Sequence, residues 1–151
     1  METATQTIQL HLPSILGFEK VAMESAAAVA TIMGFAQDRV DDLRTAISEA
    51  CVNAIEHGNK QVETERVIVT LTIEESKLKV DVQDKGKQFQ PEVGKPDMAK
   101  KIKGSLPPRG WGMFLIKSLM DEVAFSSQDG GNTTTMIIYL HRNCINERDR
   151  Q

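Results

Sequence analysis

The stretch Ser48 to Asn59 (Ser-Glu-Ala-Cys-Val-Asn-Ala-Ile-Glu-His-Gly-Asn) constrains this chain more than any other. Glu49, Asn53 and His57 recur at i, i+4 and i+8. On a helix advancing about 100° per residue they form one polar stripe on a single face. Beside it, Val40, Leu43, Ile47, Cys51 and Ala54 make an apolar face that a core can bury. A carboxylate and a carboxamide at the edge of a buried face can work together. The carboxylate can deprotonate a hydroxyl, and the amide oxygen is a hard ligand suited to magnesium. Spacing alone is equally compatible with an amphipathic helix carrying a solvated polar edge.

Two later stretches add chemistry. Val82-Gln83-Asp84-Lys85-Gly86-Lys87-Gln88-Phe89 ends a strand-like run with an acid and a glycine, and Pro108-Arg109-Gly110-Trp111-Gly112-Met113 opens a helix with two glycines. Paired glycines at a helix start can expose backbone N–H groups to phosphate at the positive end of the helix dipole, and Arg109 adds a charge-assisted donor. Gly-Lys-Ser/Thr is absent, so the lysine-bearing phosphate loop is excluded.

Glu-x-x-x-Asn-x-x-x-His-Gly, then Asp-x-Gly-x-x-Phe, then Arg-Gly-x-Gly, in that order, resembles the GHKL ATPase superfamily. The short chain and Ser-Glu-Ala before the asparagine look most like its bacterial anti-sigma-factor serine kinases. The resemblance implies an α+β two-layer sandwich, with a mixed, mainly antiparallel sheet and helices on one face. It implies ATP and Mg2+ as cofactors, Glu49 as the base that accepts a proton from the attacking hydroxyl, and Asn53 as the magnesium ligand. His57 and Gly58 would flank the phosphates. Asp84 would read the adenine amino group, with Gly86 letting the ring come close. Arg109, Gly110 and Gly112 would hold phosphate, and Thr133, entering the last strand, would complete the adenine site. The implied activity is transfer of phosphate to a serine or threonine of a STAS-domain anti-anti-sigma protein, with a sigma factor as second partner. A homodimer formed through the sheet also follows. The chain departs from the pattern at Gln88, where the family's next glycine stands. That departure keeps open a nucleotide-binding switch module without transfer. A histidine-kinase-like catalytic domain is a third reading, although nothing before Thr7 provides room for the helix pair such an enzyme phosphorylates.

At 151 residues the chain is expected to be one domain, 1–151. The formal charge of −3 argues against a surface built to coat nucleic acid. Cys51 and Cys144 lack Cys-x-x-Cys spacing and read as reduced thiols. No secretory signal opens the chain, and no apolar run approaches the about 20 residues of a spanning helix. A soluble, cytoplasmic protein without membrane contact is expected.

Along the chain, Thr7–Leu12 alternates as a strand with His11 on its polar side. Ser14 is positioned to cap a helix ending near Gly34, and Asp38 to cap the helix bearing Glu49. Arg66–Ile73 and Lys77–Gln83 read as a hairpin, Gly112–Met120 as a helix, and Glu122–Ser127 with Thr133–Leu140 as a closing hairpin. Residues 85–108 have little periodicity and many lysines, the composition of a lid over the nucleotide.

Overall fold

Period-two alternation builds the sheet. In Arg66–Ile73 the residues Val67, Val69 and Leu71 are fully buried, and in Lys77–Asp84 so are Leu78 and Val80, while the residues between them are partly exposed. These are β2 and β3 of the computed structural model, which describes residues 5–86, 109–128 and 130–141, with the side chains of 109–111 excepted. β1 (Gln6–Pro13), β4 (Glu122–Gln128) and β5 (Gly131–Tyr139) complete a five-stranded sheet of order β1-β2-β3-β5-β4. All four pairings are antiparallel, so the described sheet contains no parallel pair. Direct connections account for three of the four: β2–β3 and β4–β5 are hairpins, and two α-helices carry the chain from β1 back to β2.

Three helices cover one face: α1 (Glu19–Met33), α2 (Gln37–Asn53) and α3 (Arg109–Leu119). Ala22, Ala26, Ala27 and Ala30 on α1 are buried against α2, and such small side chains let the two backbones approach closely. α2 is central, burying Leu43, Ala46, Ile47 and Cys51. Met113, Ile116 and Met120 close the core from α3 and the turn after it. The other face of the sheet carries Thr70, Asp81, Gln83 and Thr135, none fully buried.

Neither expected cap forms. α1 starts at Glu19, whose carboxylate accepts the Gly17 N–H at 2.6 Å. Ser14 is instead wholly buried, and its hydroxyl donates to the Glu65 carbonyl at 2.7 Å, tying β1 to the entry of β2. Asp38 lies inside the first turn of α2, whose N-cap is Ala36; its charge there favours the helix dipole without a side-chain cap. His11 is exposed on β1 as expected, hydrogen-bonded to Gln9.

Among the described residues no helix is long and apolar enough to cross a membrane. The expected lid lies almost wholly outside the described residues, as do Gln88 and Cys144.

Candidate nucleotide site

α2 does not end as an α-helix. Its last turn widens into a π-helical turn, Ala54–Gly58, in which the Asn59 N–H donates to the Ala54 carbonyl five residues back at 2.8 Å. His57, within that turn, is exposed, with Nε2 3.9 Å from Glu56 Oε2.

Glu49 and Asn53 are half-buried one turn apart, facing the start of α3. A methyl group at Gly112 would lie 2.9 Å from Glu49 Oε2 and 3.3 Å from Asn53 Nδ2. The absent side chain at Gly112 thus lets the start of α3 come close against the carboxylate–carboxamide pair. Asn53 Nδ2 is buried with no hydrogen-bond partner among the described residues. An orphaned buried donor is costly, so a site that leaves one waits for a ligand oxygen. Arg109 and Gly110 open α3; the expected Arg109 contact lies outside the described residues.

The π-turn delivers Gly58 beneath the end of β3. A Cβ at Gly58 would overlap the Asp84 carboxylate, and one at Gly86 would be 2.5 Å from the Gly58 carbonyl oxygen. The two glycines let the helix end and the Asp84–Gly86 turn meet backbone to backbone. Asp84 Oδ1 accepts the Gly86 N–H at 2.8 Å and Asn132 Nδ2 at 3.0 Å. Asn132 Oδ1 in turn accepts the Ser127 hydroxyl at 2.5 Å. Gly58→Ala would displace the Asp84 carboxylate, and at least a tenfold loss of ATP affinity by calorimetry is expected, about the value of one charge-assisted hydrogen bond.

Register fixes which way Thr133 faces. Asp84 is paired with Asn132 and Gln83 with Thr133. Successive side chains point to opposite faces, so Asn132 and Thr134 share the face of Asp84 while Thr133 points away from it. With Ile68, Gln83 and Ser126, Thr133 helps line a cavity of about 240 Å³ that Asp84 and Asn132 border as well. The residue opposite the Asp84 carboxylate is Asn132, which the sequence reading did not assign.

Cys51 lies between Glu49 and Asn53 in sequence but on the buried side of α2. Burial, and secondarily the charge of Glu19, pushes its thiol from 9.0 up to about 12. Only the thiolate is reactive, so Cys51 should resist alkylation at pH 8 until the protein unfolds, as peptide mapping can show. The raised value also costs stability as pH rises beyond about 9, where the unfolded chain ionises and the folded one does not.

A family profile described as a histidine kinase-like ATPase domain matches residues 18–138. The chain is 32% identical over 142 residues to the serine-protein kinase RsbW of Bacillus cereus strain AH820, covering 91% of this chain and 87% of that protein. RsbW of Bacillus thuringiensis strain Al Hakam matches to the same extent. The crystal structure of the RsbU and RsbW domains of Rv1364c from Mycobacterium tuberculosis superposes with a TM-score of 0.66 at 19% identity, covering 91% of this chain and 33% of that longer one. It shares the fold. The chain belongs to the histidine kinase-like ATPase family, and within it groups with the serine-protein kinases of the RsbW type. Membership of an ATPase and kinase family implies ATP as the bound nucleotide.

Proposed function

We propose that the protein is an ATP-dependent serine/threonine kinase and anti-sigma factor whose substrate is a small STAS-domain antagonist protein, with Mg2+ as the metal. The observation that carries the reading is the pairing of Glu49 and Asn53 on one face of α2, close against Gly112 at the start of α3. Asn53 offers both a buried Nδ2 donor for a phosphate oxygen and an amide oxygen for a cation. Among the described residues no group of three His, Cys, Asp or Glu could hold a metal by itself. That suits magnesium, which commonly takes one or two protein ligands and completes its shell with phosphates and water. Bound Mg-ATP supplies the transferable phosphoryl group and the cation that offsets its charge.

The remaining work falls to the chain. Glu49 accepts the proton of the incoming hydroxyl, and its place one turn before Asn53 puts base and metal ligand on the same face of α2. Gly112 brings the α3 start close to Glu49 and Asn53, and the helix N-terminus favours the charge of a phosphate. Asp84 accepts from an exocyclic amine of the base, held by Asn132 and the Gly86 N–H. The antagonist and a sigma factor would be its protein partners, and a homodimer would form through the sheet. Cytoplasmic location fits this set of partners.

Asp84→Asn tests the base assignment. An amide can present a donor where the adenine amino group needs an acceptor, so ATP affinity should fall roughly tenfold and the preference for ATP over GTP should shrink. Equal affinity of the unaltered protein for ATP and GTP, measured by calorimetry, would remove Asp84 from base recognition.

A further inference from the structure

Ser14, Arg39, Asn59 and Asn132 are the four buried polar side chains among the described residues. Asn59 and Asn132 hold the Asp84–Gly86 turn, and Ser14 backs Asn59. Asn132 holds the Asp84 carboxylate from β5. From the opposite side, Asn59, 5% exposed, satisfies three hydrogen bonds at once. Its Nδ2 donates to Ser14 Oγ at 2.8 Å and to the Arg66 carbonyl at 3.2 Å, and its Oδ1 accepts the Lys85 N–H at 2.7 Å. Asn59 is thus fastened to the end of β1 and the start of β2, and with its remaining oxygen it grips the residue between Asp84 and Gly86.

We infer that Asn59 is a positioning residue for nucleotide-base recognition, fixing the Asp84-Lys85-Gly86 turn through the Lys85 amide. The inference deepens the nucleotide reading and rests on it. The backbone at Asn59 does not supply the grip, because its carbonyl already accepts the Val62 N–H and its own N–H is a donor, spent on Ala54. Lys60 and Gln61, next along, are both held at positive φ (51° and 57°), a conformation that non-glycine residues seldom adopt. A cluster of two such residues just after a π-turn persists only where surrounding contacts impose it. The anchored Asn59 side chain is such a contact. With its acceptor removed, the Lys85 N–H loses its partner and the turn can tilt, which moves the Asp84 carboxylate relative to an adenine ring without touching Glu49 or Asn53.

The expected signature is a split between binding and chemistry. Asn59→Ala should raise the Kd for ATP roughly 3- to 10-fold, the worth of one hydrogen bond at this turn, while kcat at saturating ATP stays within about twofold. Ser14→Ala cuts the same hub on its far side but leaves the Lys85 N–H gripped. It should lower the unfolding midpoint and leave the Kd for ATP within about twofold. Equal Kd increases in the two variants, or a fall in kcat with Kd unmoved in Asn59→Ala, would show a merely structural hub and overturn the inference. A third measurement needs no substitution and no nucleotide: by NMR hydrogen exchange, the Lys85 amide of the unaltered protein should be protected. Exchange at the rate of an unstructured peptide would overturn the inference. Failure of the unaltered protein to bind ATP would instead strike the nucleotide reading, leaving the protected Lys85 amide in place.

Discussion

Glu49→Gln should reduce phosphate transfer about 10²- to 10⁴-fold while leaving ATP affinity within a few-fold. The substitution keeps the size and shape of a side chain that lies close against Gly112. It removes only the capacity to take a proton. A base acts in the transition state and barely touches the ground-state nucleotide, so the loss belongs in kcat and not in Kd. Single-turnover transfer with saturating Mg-ATP separates the two. Transfer at near-normal rate would take Glu49 out of the chemistry and pass the task to another group. Cys51 is no replacement, since its thiol is buried and held protonated at neutral pH.

The second large effect is on stability. Arg39 is 7% exposed, and its guanidinium meets Asp121 at 2.7 Å, the Leu119 carbonyl at 3.4 Å and Asp42 at 3.6 Å. Asp121 Oδ2 also accepts the Tyr139 N–H at 2.7 Å. One buried ion pair therefore joins the start of α2, the carbonyl end of α3 and strand β5. Removing one partner strands the other charge in the interior, which costs about 3–5 kcal/mol. Asp121→Ala should lower the unfolding midpoint by on the order of 10 °C. Because α3 brings Gly112 to Glu49, ATP affinity should weaken as well in whatever fraction remains folded. Arg39→Met with Asp121→Leu removes both charges together and should recover much of the lost stability. A double variant no more stable than Asp121→Ala would mean that the hydrogen bonds to Leu119 and Tyr139, not the charges, carry the junction.

The strands were legible because alternation is a short-range signal. Arg66–Ile73 matches residue for residue, and the ends of the others move by one or two positions. The Glu49–Asn53 pair was legible for the same reason, four residues apart on a regular helix. The π-turn at Ala54–Gly58 that follows was not, since nothing in a local period marks a single widened turn. The facing of Thr133 was not legible either, and it lies one position off the face of Asp84. A register set by the pairing of Asp84 with Asn132 reverses every side chain one position along, and no feature of Asn-Thr-Thr-Thr in the sequence tells which residue faces in.

Asn59, Asn132 and Arg39 were passed over because polar residues at element ends normally face water. Arg39 did leave a trace. It precedes Leu43 and Ile47 at four-residue spacing, on the apolar face of α2, where a cation has to find a buried partner. Asn59 follows the helix-ending Gly58 and reads as an ordinary helix stop. What it grips, the Lys85 N–H, is 26 residues away, and that distance is closed only by the fold.

Phosphotransfer itself tests the central claim most directly. The protein would be incubated with γ-labelled ATP, magnesium and a candidate STAS-domain antagonist, and the labelled residue identified by mass spectrometry. Acid-stable phosphate on a serine or threonine of the antagonist, lost when Glu49→Gln replaces the unaltered protein, is the predicted result. ATP binding without any transfer, or acid-labile phosphate on a histidine, would contradict it.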